Sequence, residues 1–288
     1  MSTSGNLAFF GPSATRREWS PALLIDAGNS RVKLTAVLSQ DGRRESTVLA
    51  LAHGELDTMI PKLRDLGWPC RRALGVNVAG PAVRQELDER VRALTGSAVA
   101  WMRSQARQGG VRNGYDDPGQ LGADRWAALI GLSGRLQASA TPAPALLASF
   151  GTATTIDMLG PDLFFHGGLI LPGPDMMLAS LADNTADLPK AHGTPTDFPR
   201  HTHQAIVTGV AAAQAGAVLR QWRIGLGAFG APPRVYVTGG AWTEVEDEVR
   251  SRLSLMQADL GLPAQDALFL PHPVLDGLAA LAARDHSL

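Results

Sequence analysis

The sequence predicts an α/β fold built twice, with a cleft between the halves. Three observations carry that expectation. Short apolar runs alternate with stretches of helical periodicity, the pattern of strands interleaved with helices. One strand–turn–strand element occurs twice: Ala22-Leu23-Leu24-Ile25 runs into Asp26-Ala27-Gly28-Asn29-Ser30, and 123 residues later Ala145-Leu146-Leu147-Ala148 runs into Ser149-Phe150-Gly151-Thr152-Ala153. Between them, Ala140-Thr141-Pro142-Ala143-Pro144 has the composition of a hinge. A repeated element in each half suggests duplicated domains, and ligands favour the groove between such halves. The division expected is a flexible leader over 1–20, a first domain over 21–139 and a second over 140–288.

Composition bounds the possibilities. The 288 residues suit about two ordinary domains. With 45% hydrophobic and 18% charged residues, the chain is neither disordered nor fibrous. Net charge is −1, from 26 basic and 27 acidic residues, which argues against a nucleic-acid partner and a polybasic membrane anchor. A single cysteine, Cys70, precludes an intramolecular disulfide and reads as a small buried hydrophobe rather than a catalytic thiol. No run reaches the ~20 apolar residues of a membrane span. The first twenty residues break at Gly11-Pro12 and turn polar at Arg16-Arg17-Glu18, unlike a signal peptide, so the chain reads as cytoplasmic.

After the first turn, Val32, Leu34, Ala36 and Leu38 alternate as a strand. Leu56, Met59, Ile60 and Leu63 share one face of a helix near Glu55–Leu66. Ala73 to Val78 reads as a buried strand, and Pro81 opens the next helix at its first turn. The turn-rich segment Asn113-Gly114-Tyr115-Asp116-Asp117-Pro118-Gly119 leads into a helix over about Gln120–Gln137. In the second half, Thr154, Ile156 and Met158 alternate, and Gly167 to Pro174 is rich in Gly and Pro. Helices follow near Met176–Leu181 and His203–Trp222. Val235-Tyr236-Val237 is a strand ending in Thr238-Gly239-Gly240, and a last helix covers about Val274–Ala283.

The Gly-rich turns hold the first candidate chemistry. Asp26-Ala27-Gly28-Asn29-Ser30 puts a carboxylate at a strand end, then a Gly that lets backbone approach closely, then small polar groups. A phosphate cradle with a carboxylate for Mg²⁺ needs those features. Lys33, one of only three lysines, stands on the outgoing strand. Taken alone, each turn reads more simply as a hairpin. Two in matching places, with Thr238-Gly239-Gly240 at a third strand end, favour the phosphate reading.

Leu121-Gly122-Ala123-Asp124-Arg125 is the second candidate. A first-turn carboxylate is favoured by the helix dipole, so Asp124 is expected ionised, and helix capping alone explains an acid there. Beside Asn113-Gly114-Tyr115, however, Asp124 can accept a hydroxyl proton and Arg125 can bind an anion. Thr185 alone suits an N-cap. Gly225-Leu226-Gly227-Ala228-Phe229-Gly230 matches G-x-G-x-x-G in letters but lacks a preceding strand, and reads as a flexible connector. His201-Thr202-His203 has no evident third ligand and reads as a solvated loop. No G-x-x-x-x-G-K-[ST] occurs, which excludes a P-loop kinase by motif.

Together these segments resemble the type III pantothenate kinase family of the acetate kinase/sugar kinase/Hsp70/actin superfamily. The likeness rests on Asp26 to Ser30, Asn113-Gly114-Tyr115 through Gly122-Ala123-Asp124-Arg125, Gly151 to Asp157, and Gly167 to Gly173 with Thr185-Ala186-Asp187-Leu188-Pro189, and Thr238-Gly239-Gly240 adds to it. The resemblance implies two duplicated ribonuclease-H-like (actin-like ATPase) domains and ATP-dependent phosphorylation of pantothenate, the first step of coenzyme A synthesis. It implies that Asp26, Ala27, Gly28, Asn29, Ser30, Lys33, Gly151, Thr152 and Gly239 bind ATP, with Asp26 near Mg²⁺. Asp124 is then the general base, and Tyr115, Gly122, Ala123, Asp124, Arg125 and Thr185 hold pantothenate. Members of the family are homodimers with pockets near the subunit interface.

One position departs from the pattern. The family's second turn begins with an Asp that binds a monovalent cation, typically K⁺. Here the residue is Ser149, a poorer cation ligand, so that site is expected to be non-functional. Ser30 stands where Thr is usual and keeps the hydroxyl. The alternatives are a non-catalytic relative serving a transcriptional regulator, and a superfamily kinase with a sugar or acetate acceptor.

Overall fold

Leu23, Leu24 and Ile25 form a strand because each finds a core: Leu24 packs in one apolar cluster, Leu23 and Ile25 in another on the opposite face. A strand buried on both faces reads as an unbroken apolar run. The computed structural model describes residues 19–139 and 142–284. Nearly all of the expected leader, and Ala140-Thr141 of the expected hinge, lie outside the described residues.

In chain order the strands are β1 (Ala22–Ala27), β2 (Arg31–Val37), β3 (Leu49–Ala52), β4 (Arg72–Asn77), β5 (Val99–Trp101), β6 (Arg107–Gln108), β7 (Val111–Asn113), β8 (Ala145–Phe150), β9 (Ala153–Leu159), β10 (Phe164–Pro172), β11 (Arg234–Thr238) and β12 (Leu268–Phe269). The helices are α1 (Met59–Asp65), α2 (Pro81–Thr95), α3 (Ala123–Gln137), α4 (Pro174–Asn184), α5 (Thr202–Phe229), α6 (Trp242–Asp259) and α7 (Pro273–Arg284).

The strands make two sheets, ordered β3-β2-β1-β4-β5 and β12-β11-β8-β9-β10-β7-β6. Five strands of the second repeat the first: β8 takes the place of β1, β9 of β2, β10 of β3, β11 of β4 and β12 of β5. The hydrogen bonding repeats too. β1–β2 and β2–β3 are antiparallel and β1–β4 and β4–β5 parallel, as are β8–β9, β9–β10, β8–β11 and β11–β12 in turn. The duplication expected at an offset of 123 is therefore present strand for strand, and β1 and β8 share it at both ends.

The layers follow from which faces are apolar. Residues of α3 and α7 join one face of each sheet in a single core that includes Leu24, Val76, Trp126, Leu147 and Leu278. Leu56, Leu63, Leu87 and Val91 cover the outer face of the first sheet. Val218, Trp222, Val245 and Val249 cover that of the second. Glycines let α3 and α7 approach closely: a Cβ on Gly277 would stand 1.9 Å from the Ala127 carbonyl oxygen. The halves also exchange elements. β7, from before the expected hinge, pairs with β10, and the C-terminal α7 packs on β1 and β2.

Several local readings need correction. The Gly225–Gly230 segment is no connector but the last turns of α5, which ends where Gly230 turns left-handed at φ 65°. Gly225 serves packing, since a Cβ there would lie 2.6 Å from Pro233 Cγ. His201 is not in a solvated loop but caps α5, its Nδ1 accepting from the Gln204 N–H at 3.4 Å. The helix expected over Glu55–Leu66 is a 3₁₀ segment, His53–Thr58, followed by α1. Cys70 is half-buried and free, and burial pushes its thiol up to about 12, which leaves it unreactive.

Candidate active site

The three Gly-rich turns meet. β1 delivers Asp26, whose cross-strand partner is Lys33; the ammonium lies 3.9 Å from the carboxylate. The Gly28 N–H closes the turn on the Arg31 carbonyl at 3.1 Å, and the Gly151 N–H closes the second on Ala153 at 3.2 Å. His53 Nε2–H steadies the first turn through the Gly28 carbonyl at 2.9 Å. With those two glycine N–H groups engaged, the exposed hydroxyls of Ser30 and Thr152 face each other, 2.8 Å apart.

The second and third turns are joined through backbone. The Ala241 N–H donates to the Phe150 carbonyl at 3.1 Å. Gly239, at φ 103°, lies so close that a Cβ would stand 2.0 Å from that oxygen. The Gly173 N–H holds the Thr152 carbonyl at 3.0 Å, and a Cβ on Gly173 would strike Gly151 at 2.0 Å. Asp26, Gly28, Ser30, Lys33, Gly151, Thr152 and Gly239 thus belong to one connected set of turns. Asn29 is exposed in the first turn, and the Ala27 carbonyl is taken by the Val78 N–H at 2.9 Å.

Asp26 carries an electrostatic strain that suits a cation. Burial raises its carboxyl to about 6, Lys33 pulls it down, and the nearby Asp124 charge pushes it up. A hard cation near Asp26 would relieve both the desolvation and the repulsion. Among the described residues no three His, Cys, Asp or Glu side chains gather as a metal site. One or two carboxylates completed by phosphate oxygens and water is the usual setting of Mg²⁺, and Asp26 fits it.

The segment before α3 presents the second set. Asn113 accepts from the Tyr115 N–H at 3.1 Å and donates to the Pro118 carbonyl at 3.2 Å, which fixes the loop. Gly122 is the N-cap of α3, and Asp124 lies in its first turn, accepting from the Arg125 N–H at 2.8 Å. A Cβ on Gly122 would stand 2.7 Å from that Asp124 oxygen, so glycine leaves the carboxylate its room. Arg125 turns inward. Its Nε and Nη2 bond to the two oxygens of Asp157 at 3.2 and 2.5 Å, and Nη1 donates to Tyr115 Oη at 3.1 Å. Ala123 packs against the central core.

Thr185 stands apart. It ends α4 as a C-cap, not an N-cap, donating to the Leu181 carbonyl at 2.7 Å and accepting from the Leu188 N–H at 3.3 Å. Ser149 pairs with Thr155 on one side and Thr238 on the other, so hydroxyl-bearing residues flank it on both neighbouring strands. From sequence, Asp157 entered only as the end of the segment Gly151 to Asp157, with no role, and His53 not at all. The available signal for Asp157 was a lone carboxylate set among Ile156, Met158 and Leu159, where a buried charge calls for an opposite one.

The chain is similar to known proteins over most of its length. The family described as Type III pantothenate kinase matches residues 22–224. A Type III pantothenate kinase of Bordetella bronchiseptica is 49% identical over 91% of this chain and 97% of its own. One from Aromatoleum aromaticum is 39% identical over 91% and 98%. Among solved structures, a Campylobacter jejuni protein described as a Baf family transcriptional activator superposes with a TM-score of 0.50 at 17% identity, over 92% of this chain and 100% of that one. An exopolyphosphatase-like protein also gives 0.50, at 12% identity over 91% and 97%. These structural likenesses show the shared two-domain ribonuclease-H-like fold and no more. The identity and coverage of the sequence relatives establish that the chain belongs to the type III pantothenate kinase family.

Proposed function

We propose that this protein transfers the γ-phosphoryl group of ATP to the primary hydroxyl of pantothenate, acting in the cytoplasm. The observation that carries the reading is the joining of three phosphate-type turns, the first to the second through Ser30 and Thr152 and the second to the third through Phe150 and Ala241, with Asp26 at the end of the strand that leads into the first and the Asp124 charge raising its carboxyl. In this reading Ser30 and Thr152 part to admit the ATP phosphates, Lys33 adds positive charge, and the Gly239 turn lies beside the nucleotide. Asp26 would hold Mg²⁺, which when bound would supply charge to neutralise the phosphates. Asp124 orients the pantothenate hydroxyl. As its oxygen bonds to phosphorus and the bond to the ADP oxygen breaks, the proton passes to the Asp124 carboxylate. Transfer of this kind relies on positioning and charge rather than on a strong base.

The accessory-factor alternative finds no support: relatives covering nearly the whole chain carry the kinase name. The acceptor is proposed from that same likeness. The test is ADP formation by purified protein with ATP and Mg²⁺, with and without pantothenate. Pantothenate-dependent turnover is expected, and its absence from folded protein that binds ATP contradicts the reading.

The same assay with and without K⁺ examines Ser149. With hydroxyls in place of a carboxylate, activity is expected to be unchanged by K⁺ at constant ionic strength. A steep, saturable rise with K⁺ is the contrary result.

We further read the protein as a homodimer. Ile170, Met176, Leu181 and Phe198 are exposed apolar side chains, Phe198 at 85%. An apolar cavity of about 740 Å³ lies between α4 and α5, lined by Pro172, Met177, Leu181, Leu188, Ile206 and Val210 among others. Such surface is unusual on a monomer, and Thr185, exposed near it, is available to a second copy. Light scattering is expected to give twice 30.4 kDa; a monomer at micromolar concentration contradicts the dimer.

A further inference from the structure

Arg125 is held from every side. Its side chain is 7% exposed and that of Asp157 2%. Tyr115 and Phe165 each place a ring 5.9 Å from the guanidinium carbon. The pocket is shaped by an absence: a Cβ on Gly168 would lie 2.3 Å from Asp157 Oδ1 and 3.0 Å from Arg125 Nη2. Thr155 lies two residues back on the same face of β9, and its side chain favours the charged form of Asp157. Nothing in the phosphoryl-transfer steps uses Asp157.

The donor inventory shows what this clamp does. A guanidinium has five N–H donors in a fixed fork. Asp157 takes one on Nε and one on Nη2, the side-on edge, and Tyr115 takes one on Nη1. Two donors remain, one on each Nη. A planar fork fixed on one edge by a bidentate carboxylate has its plane and free donors fixed as well.

We propose that Asp157 is a positioning residue: it fixes the Arg125 guanidinium so that the remaining Nη donors recognise the carboxylate of the acceptor substrate. The inference rests on the pantothenate reading and adds where its carboxylate selectivity arises. The clamp also explains why an arginine so nearly neutralised stays useful. What it contributes is donor direction more than net charge.

The test compares wild type, Asp157→Asn and Thr155→Val on two acceptors: pantothenate, and its analogue with CH₂OH in place of the carboxylate. Wild type is expected to prefer pantothenate. In Asp157→Asn the pantothenate KM rises by about 10- to 100-fold, while kcat and the analogue's KM stay within about twofold, so the preference is lost. Thr155→Val loosens the clamp without emptying it. It shifts the pantothenate KM about 2- to 5-fold in the same selective way, and decides the matter if Asp157→Asn does not fold. Equal losses on both acceptors, or an unchanged preference, overturn the proposal while leaving the kinase reading intact. Wild type that phosphorylates neither acceptor overturns both.

Discussion

Asp124→Asn is expected to lower kcat by about 10²- to 10⁴-fold while ATP binding survives. The carboxylate occupies the first turn of α3, where Gly122 leaves it room and the Arg125 N–H holds one oxygen at 2.8 Å. Asparagine keeps the shape and that hydrogen bond but cannot take the proton from the substrate hydroxyl. The loss should therefore appear in turnover and spare nucleotide affinity, which depends on turns that Asp124 does not build. Steady-state kinetics with a nucleotide-binding titration reads both. A fall in ATP affinity matching the loss of turnover would place Asp124 among the nucleotide ligands instead.

Asp26→Asn should have the opposite effects on stability and activity. Burial raises the Asp26 carboxyl to about 6 from an ordinary value near 3.8. The folded protein therefore holds this proton more tightly than the unfolded chain. The stability this contributes is fully present below the unfolded value and is lost as pH rises through about 6. At pH 7 the buried charge opposes folding by about 1–3 kcal/mol. That figure already includes the partial offset from Lys33, which is about one-third exposed and 3.9 Å away. The neutral Asn variant, without nucleotide, is thus expected to melt a few degrees above wild type at pH 7, with the gain shrinking toward pH 4. It should be nearly inactive, having lost its ligand for Mg²⁺. Wild-type kcat/KM should likewise fall below about pH 6 as Asp26 takes up its proton, an edge that Mg²⁺ shifts to lower pH. Thermal melts across pH, beside activity, check the pair. A variant less stable than wild type at pH 7 contradicts the electrostatic account.

The parts of the fold that were legible are those where one residue pattern has one physical outlet. β1 and β8 are apolar on successive residues because both sheet faces are covered, and they recur at a common offset because the domains are duplicated. The turns after them were readable because they recur at matching places, since either one alone reads as a hairpin. Strands β6 and β12 were not legible: two residues carry no periodicity, β6 pairing with β7 across the Gly109-Gly110 turn and β12 with the distant β11. Gly225 to Gly230 misled because glycine usually weakens a helix, whereas Gly225 lets α5 pack against Pro233 and Met158.

The site was legible in the same uneven way. Asp124 and Arg125 are adjacent in sequence and looked like a single substrate-facing pair. The helix turns them apart, Arg125 reaching Asp157 across 32 residues while Asp124 stays near Asp26. That partnership is tertiary, and local spacing carries no trace of it. Thr185 was placed in the site by family likeness alone, and its hydrogen bonds within this chain stay at the end of its own helix.

The most direct test of the central claim is the identity of the phosphorylated product. The protein, ATP and Mg²⁺ would be incubated with pantothenate and N-acetylmannosamine together, and the products resolved by mass spectrometry. The account predicts one phosphoryl group on pantothenate, none on the sugar, and formation of that product slowed about 10²- to 10⁴-fold in Asp124→Asn. Phosphorylated sugar without phosphorylated pantothenate, or product undiminished in Asp124→Asn, would contradict it.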